Sequence, residues 1–235
     1  MEMESKKVVV LGGTSGIGLS VVQQLAANKA EVVAVSRNPD RARGDIPDDV
    51  VLVSCDVRDE GAMSQMFADL APFDALVCTA TGGERSVGPF LEMEMAGYKA
   101  SFDKLWGYAN AVRYGAPHLT DLGSMVLVSG APARRAKPGQ VSLASVGGAV
   151  EAFVRTIAPE IAPKRINVVS PGLICTPMFG ESKEQQQATL SGPTASHLIP
   201  RPGEASEVAQ AILFLLQNEF VTGTTIDVDG GWLLS

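Results

Sequence analysis

Short apolar runs alternate with amphipathic segments along the whole chain. The runs are rich in valine and isoleucine and end at glycine or polar residues, which is typical of strands buried in a parallel sheet. The runs predict strands at Lys7–Leu11, Glu31–Ser36, Val50–Ser54, Ala75–Cys78, Ser124–Val128, Arg165–Ser170 and Thr225–Val228.

Between these runs, apolar residues recur at helical spacing. The predicted helices are Ile17–Asn28, Ala62–Leu70, Met95–Ala116, Leu143–Ile161 and Glu204–Gln217. Regular alternation of strands and helices predicts a single α/β domain over residues 1–235, with a doubly wound parallel sheet of about seven strands and helices on both faces. The interval 179–202 shows no such period, and we expect it to be an irregular insertion that forms a substrate lid.

Composition narrows the function classes. The chain has 235 residues, of which 46% are hydrophobic, and a net charge of −7, which argues against a nucleic-acid-binding surface as the main function. Three cysteines without a CxxC pair and two histidines suggest neither a disulfide framework nor a metal site. The acidic N-terminus is unlike a signal peptide, and no apolar run reaches the roughly 18 residues that span a bilayer. We therefore expect a soluble, cytoplasmic protein with no membrane partner.

A glycine-rich loop joins the first predicted strand to the first helix. Its anchors are Gly12, Gly16 and Gly18, with Thr14, Ser15 and Ile17 between them. Glycine permits a tight turn and a close approach by a pyrophosphate, while the helix N-terminus supplies N–H donors and the positive end of the helix dipole. Because the loop follows a strand and opens a helix, it predicts a dinucleotide site rather than a merely structural turn.

At this loop the chain resembles the short-chain dehydrogenases/reductases of the compact type. The family loop reads T-G-x-x-x-G-I-G, and here only the leading threonine differs, as Leu11. Further matching segments are Asp56-Val57, which corresponds to the adenine contact, Pro171-Gly172-Leu173-Ile174 with Thr176, which corresponds to the nicotinamide segment, and Gly223–Gly231, which corresponds to the closing strand. Thr79-Ala80 stands within the segment that replaces the family's N-N-A-G. The resemblance implies a Rossmann-type fold, a nicotinamide cofactor, a small-molecule substrate and a homodimer or homotetramer.

The end of the second strand indicates which cofactor is used. An acidic residue there would bind the ribose 2′-hydroxyl and repel a 2′-phosphate. The chain has Ser36 and Arg37 instead, a hydroxyl and a guanidinium that suit a phosphate. NADP(H) is favoured over NAD(H), although Arg37 could also be an exposed turn residue beside Arg41 and Arg43.

The family's catalytic residues are the main departure. In the family, a serine after the fifth strand, a Tyr-x-x-x-Lys pair on the next helix and an asparagine in the preceding helix carry the chemistry. The match of Gly148–Phe153 to the sequence after the family's lysine places Gly130, Leu143 and Gly147 at the serine, tyrosine and lysine positions. The asparagine position falls on Lys104.

Other polar residues are candidates to replace the lost groups. Lys104 could enter the pocket and polarise a substrate oxygen, or be a helix-surface lysine. Ser129 and Ser142 flank the vacated positions and could donate hydrogen bonds, although serines at such places are commonly caps. Arg134 and Arg135 could bind an anionic substrate at the pocket rim or be solvated loop charges.

The sequence leaves three functions open. A positioned general acid contributes typically 10²–10⁴-fold to proton transfer, so ordinary ketone reduction without the tyrosine should be slow. An imine or an activated carbonyl needs the acid less, and we favour an atypical NADP(H)-dependent oxidoreductase that acts on such an acceptor. The alternatives are a non-catalytic NADP(H)-binding or regulatory homologue, and a non-redox enzyme built on the same scaffold.

Overall fold

The structure, a computed structural model, describes residues 2–81 and 85–235. Its strands are β1 Lys7–Leu11, β2 Glu31–Ser36, β3 Val51–Ser54, β4 Phe73–Cys78, β5 Leu119–Val128, β6 Arg165–Pro171, β7 Ile174–Cys175, β8 Gly203–Glu204 and β9 Thr225–Val228. Its α-helices are α1 Gly16–Ala27, α2 Glu60–Leu70, α3 Met95–Ala100, α4 Asp103–Gly115, α5 Val141–Ile161, α6 Lys183–Thr194 and α7 Ala205–Gln217.

A seven-stranded parallel sheet runs through the centre of these residues. Its order is β3-β2-β1-β4-β5-β6-β9, and the short strands β7 and β8 pair separately. The predicted doubly wound fold is confirmed. The order reverses between β1 and β4, and in such sheets the reversal opens a crevice at the carboxyl ends of the strands.

Two apolar cores cover the faces of the sheet. Side chains of β1 alternate between them, with Val8 and Val10 packed towards α1 and α7, and Val9 and Leu11 packed towards α2, α4 and α5. Burial on both faces explains why β1 reads as a continuous apolar run rather than as an alternating one.

Helix α5 is, in the described part of the chain, the one helix long and apolar enough to cross a membrane by length and composition alone. Core helices of globular proteins pass the same test. In this fold α5 packs on β6 and buries Val150 and Val154 in the core.

Two predicted elements were wrong. The expected helix Met95–Ala116 is divided into α3 and α4 at Ser101-Phe102. The Ser101 hydroxyl donates to the Gly97 carbonyl (2.9 Å) and accepts from the Ser86 amide (3.1 Å), and such side-chain bonds to the backbone compete with helix continuation.

The interval 179–202 is not irregular, because it contains α6. This helix starts with a capping box formed by Ser182 and Gln185, and the residues it buries are Gln186, Leu190 and Thr194. A helix with so little buried apolar surface shows no hydrophobic period, which is why the sequence pattern did not reveal it. The lid role of this interval stays a prediction.

Candidate active site

A cleft of about 850 Å³ opens at the carboxyl ends of the central strands. It brings together every residue that the sequence assigned to cofactor binding, namely Gly12, Thr14, Ser15, Gly16, Ile17, Gly18, Ser36, Arg37, Asp56, Val57, Thr79, Ala80, Pro171, Gly172, Ile174 and Thr176. It is also lined by the candidate catalytic residues Lys104, Ser129 and Ser142 and by Gly130, Leu143 and Gly147.

The glycine loop is shaped so that side chains would fill it. Gly12 has φ +80°, and a Cβ there would lie 2.6 Å from the amide nitrogen of Ala80. A Cβ at Gly18 would lie 2.1 Å from the carbonyl oxygen of Gly12. The N-cap residue of α1, Ser15, makes no side-chain capping bond, so the amides at this helix end remain for a ligand. The loop therefore fits a pyrophosphate at a helix N-terminus.

Positively charged side chains follow the carboxyl end of β2. Arg37 and Arg41 both line the cleft, and neither forms an ion pair with a carboxylate within residues 2–81 and 85–235. The Ser36 hydroxyl is buried there without a hydrogen-bond partner among the described residues. Two available guanidinium groups beside an unsatisfied hydroxyl suit a phosphate.

Asp56 is an acidic residue of the cleft lining and follows β3, the neighbour of β2 in the sheet. The Arg58 side chain donates to both of its carboxylate oxygens, at 3.1 and 2.8 Å, and lowers the pKa of Asp56 to about 2. Arg58 also bonds Asp103 at the start of α4. The carboxylate is therefore held charged and in a fixed place in the cleft lining.

Lys104 lies on the first turn of α4, and its side chain enters the cleft. Its Nζ donates to the carbonyl oxygen of Ser129 at 2.9 Å and lies 5.6 Å from the centre of the Tyr108 ring. Helix α4 packs closely against Val57 because residue 107 is a glycine. A Cβ at Gly107 would lie 2.6 Å from Val57 Cγ2. Burial lowers the pKa of Lys104 to about 7, and the nearby guanidinium of Arg85 adds to that effect.

The two candidate serines have their hydroxyl protons engaged. The Ser129 hydroxyl donates to Oε1 of the buried Glu151 at 3.1 Å. The Ser142 hydroxyl donates to the carbonyl oxygen of Ser86. Both line the cleft, but of the three candidates Lys104 alone combines a cleft position with a proton that it can give up near neutral pH.

Gly130, Leu143 and Gly147 border the cleft, and no tyrosine does so in the described part of the chain. A Cβ at Gly147 would lie 2.9 Å from the Ala133 Cβ, closer than real carbon contacts allow. At Gly130 the nearest atom to a Cβ would be Pro132 Cδ at 3.6 Å, which is an ordinary contact. The backbone around Gly147 therefore excludes a lysine there unless the turn at Ala133 moves.

Arg134 and Arg135 make internal contacts. Arg134 bonds Asp227 on β9 at 2.6 Å and lies 3.5 Å from Glu151. Arg135 donates to the carbonyl oxygen of Trp232 and stacks 5.7 Å from its ring. The sequence left open a substrate anion or solvated loop charges; in the structure β9 and the C-terminal segment engage both arginines.

Sequence reasoning missed Arg85, Arg41 and Trp232, which also line the cleft. In the sequence, Arg41 stands in a turn after Arg37, and no pattern assigns it to the cleft. Trp232 reaches the cleft through the folded-back C-terminus. Arg85 follows β4 in a glycine-rich segment without hydrophobic period, so no spacing signal marks it.

The sheet reversal, the open glycine loop and the arginines at the end of β2 define a dinucleotide-binding α/β protein. Residues 12–233 match the family model described as "Enoyl-(Acyl carrier protein) reductase". The chain belongs to the short-chain dehydrogenase/reductase family.

Relatives match the chain over nearly its full length. Carbonyl reductase family member 4 of Danio rerio is 31% identical over 97% of this chain and 98% of its own. L-xylulose reductase of Bos taurus is 31% identical over 99% and 98%. A solved small-chain dehydrogenase in complex with NADPH is 34% identical, has a TM-score of 0.87, and is matched over 99% of this chain and 100% of its own.

Proposed function

We propose that this protein is an NADP(H)-dependent oxidoreductase that reduces an activated carbonyl or an imine without the family's tyrosine acid. The observation that carries the proposal is the Lys104 ammonium group, which lies in the cleft with a pKa of about 7. It supplies a proton donor in the cleft, where Gly130, Leu143 and Gly147 carry no ionisable side chain.

The cofactor residues divide into three groups along the cleft. The glycine loop and the N-terminus of α1 hold the pyrophosphate, Ser36 and Arg37 hold the 2′-phosphate, and Pro171–Thr176 borders the nicotinamide. The NADPH-bound relative, which shares the fold over its whole length, supports NADP(H) as the cofactor. When bound, NADPH supplies the hydride that reduces the acceptor.

Lys104 acts on the oxygen that becomes negatively charged. Near neutral pH a substantial fraction of Lys104 carries its proton, and the Ser129 carbonyl holds the ammonium group in place. A positioned acid of this kind contributes typically 10²–10⁴-fold to such a step. Ser129 and Ser142 then act as positioning residues, Ser129 through its carbonyl oxygen and Ser142 by anchoring α5 to the Ser86 carbonyl.

The charges of the site favour the carbonyl over the imine. A protonated iminium is a cation. Arg85 and protonated Lys104 are also positively charged, so they would repel it. A carbonyl that develops negative charge is stabilised by the same two groups.

Two measurements test the proposal. Fluorescence titration should give tighter binding of NADPH than of NADH. A turnover panel of activated ketones, quinones and cyclic imines should show NADPH oxidation, fastest with the activated ketones. Tight NADPH binding without oxidation by any acceptor would instead support the non-catalytic homologue or the non-redox enzyme and would refute the reductase.

The remaining proposals concern the assembly and the lid. We expect a homodimer or homotetramer in the cytoplasm, as is common in the family, and a gel-filtration mass near 24.6 kDa would contradict it. Residues 179–202 are proposed to close over the substrate. Met178 and Phe179 already line the cleft next to α6, so proteolysis within α6 should slow when NADPH and an acceptor are both present.

A further inference from the structure

Arg85 lies at the same part of the cleft as Lys104. Both residues line the cleft, and the amide of Ser86, next to Arg85, donates to the hydroxyl of Ser101, three residues before Lys104. The Arg85 guanidinium contacts Met178 Sδ, a thioether that brings no negative charge. The Lys104 ammonium group is bonded to a backbone carbonyl. Two cations therefore share one region without a carboxylate partner in the part of the chain that the structure describes.

Among the described residues, the cleft lining offers these cations no counter-ion. Its acidic residue is Asp56, which is engaged by Arg58 after β3. The lining also contains the apolar residues Val87, Leu143, Val146, Met178 and Phe179, together with uncharged polar residues such as Ser129, Gln140 and Ser142. The site thus combines two positive charges with apolar surface and uncharged polar groups.

A cation that is partly removed from water and left unpaired destabilises a protein. Burial lowers the pKa of the Arg85 guanidinium as well as that of Lys104. A bound anion would offset this unfavourable burial. A planar guanidinium binds a carboxylate through two parallel hydrogen bonds, a geometry that an ammonium group does not offer.

We propose that the acceptor carries a carboxylate next to its reacting carbonyl, with Arg85 binding the carboxylate and Lys104 facing the carbonyl oxygen. The apolar remainder of the acceptor lies against Leu143, Val146 and Phe179. This substrate class rests on the proposed reductase function for its chemistry, but the binding site for the carboxylate can be tested without turnover.

Substrate binding would also prepare the acid. A carboxylate held beside Arg85 adds a negative charge near Lys104, which favours the protonated form of the amine. The proton donor is then most available when an acceptor is in place.

Benzoylformate and its methyl ester are suitable probes. Both are activated ketones with the same phenyl ring, and the two differ in the negative charge. Binding should be measured by calorimetry at pH 7 with and without NADP⁺, using the wild type, Arg85→Gln, Arg85→Lys and Arg155→Gln. Arg155 is an exposed arginine of α5 outside the cleft lining, so its variant controls for the loss of one positive charge.

We expect wild type and Arg155→Gln to bind the acid more tightly than the ester. Arg85→Gln should weaken acid binding about 10- to 100-fold, the size of a lost charge-assisted contact, and leave ester binding unchanged. Arg85→Lys should fall between them, because it keeps the charge but loses the paired geometry. Thermal melts of the four proteins should coincide, so that the loss is not one of folding.

The inference is overturned if acid and ester bind equally well, if Arg85→Gln leaves acid binding unchanged, or if benzoylformate does not bind. NADPH oxidation is recorded in parallel with both probes. Selective binding of benzoylformate without NADPH oxidation would support the carboxylate site and refute the reductase function. Rapid NADPH oxidation with both probes and no dependence on Arg85 would support the reductase and refute the carboxylate site.

Discussion

The Nζ of Lys104 donates a 2.9 Å hydrogen bond to the carbonyl oxygen of Ser129, and this bond ties the start of α4 to the end of β5. The hydroxyl of the same serine donates to the buried carboxylate of Glu151 on α5. Ser129 is thus fixed from one side by α5 and holds the lysine on the other. The ammonium group therefore has a defined place at the cleft rather than the freedom of a surface lysine.

The pH dependence of turnover should report Lys104. An acid must be protonated to act, so kcat/KM should fall as the pH rises through about 7, the pKa of Lys104. Lys104→Arg keeps a positive charge that does not titrate in this range, so the fall should disappear. Lys104→Ala should lower kcat/KM about 10²–10⁴-fold.

The control for this prediction is cofactor binding. NADPH titration should give nearly the same affinity for both Lys104 variants and the wild type, because the lysine faces the acceptor. A descending limb that persists in Lys104→Arg would assign the titration to another group.

The stability of the protein should also depend on Lys104 and on pH. Its pKa is about 7 in the folded protein against 10.5 for a free lysine, so between these values the unfolded chain binds more protons and stability rises with pH. Lys104→Met removes this dependence. The free energy of unfolding of the variant minus that of wild type should therefore be greatest at pH 6. At pH 10 this difference should be smaller by about 1–2 kcal/mol, after allowance for solvent screening.

Urea unfolding at the two pH values measures this difference. Lys99→Met removes an exposed lysine of α3 and serves as the matched control, for which the difference should not change. Parallel pH curves for Lys104→Met and wild type would contradict the proposed burial of the charge.

Arg37 should decide between the two nicotinamide cofactors. Replacing it with alanine removes a guanidinium from the cleft at the end of β2 and should weaken NADPH binding about 10- to 100-fold, leaving NADH binding nearly unchanged. Arg43 in the same loop bonds Asp40 at 2.8 Å and does not line the cleft, so Arg43→Ala is the control. Equal losses for both cofactors would exclude a phosphate contact.

Sequence patterns predicted the elements whose residue types follow directly from a general physical requirement. Buried strands such as β1 are apolar because both faces of the sheet are covered, and the glycine loop needs glycine because Gly12 and Gly18 leave no room for a Cβ. The hydroxyl of Ser101 bonds to the backbone at the division between α3 and α4, and no periodicity reveals such bonds.

The charges of the site were harder to predict for a related reason. The ion pair of Arg134 with Asp227 joins residues that are 93 positions apart in the sequence. Arg85 reaches Lys104 only when β4, α4 and the loop between them are folded. Contacts of this kind depend on the tertiary structure and leave no local pattern.

Adjacent glycines of α5 allow a direct test of how much room position 147 offers to a side chain. A Cβ at Gly148 would meet no atom within 4 Å, whereas a Cβ at Gly147 would lie 2.9 Å from the Cβ of Ala133. Alanine generally stabilises a helix interior relative to glycine by about 0.5–1 kcal/mol, so Gly148→Ala should raise the free energy of unfolding by that amount. Gly147→Ala should lower it by about 1–3 kcal/mol, because the side chain overpacks the turn at Ala133.

The double variant Gly147→Ala with Ala133→Gly removes the opposing carbon and should recover most of that loss, as measured by urea unfolding against Ala133→Gly alone. If Gly147→Ala is as stable as Gly148→Ala, the turn yields easily and a lysine could be accommodated. If the predicted order holds, the close approach of α5 to the turn at 131–133 has made position 147 inaccessible to any side chain. A single Gly147→Lys substitution then cannot supply a cation from α5, whereas Lys104 of α4 already places one in the cleft in the function proposed for this protein.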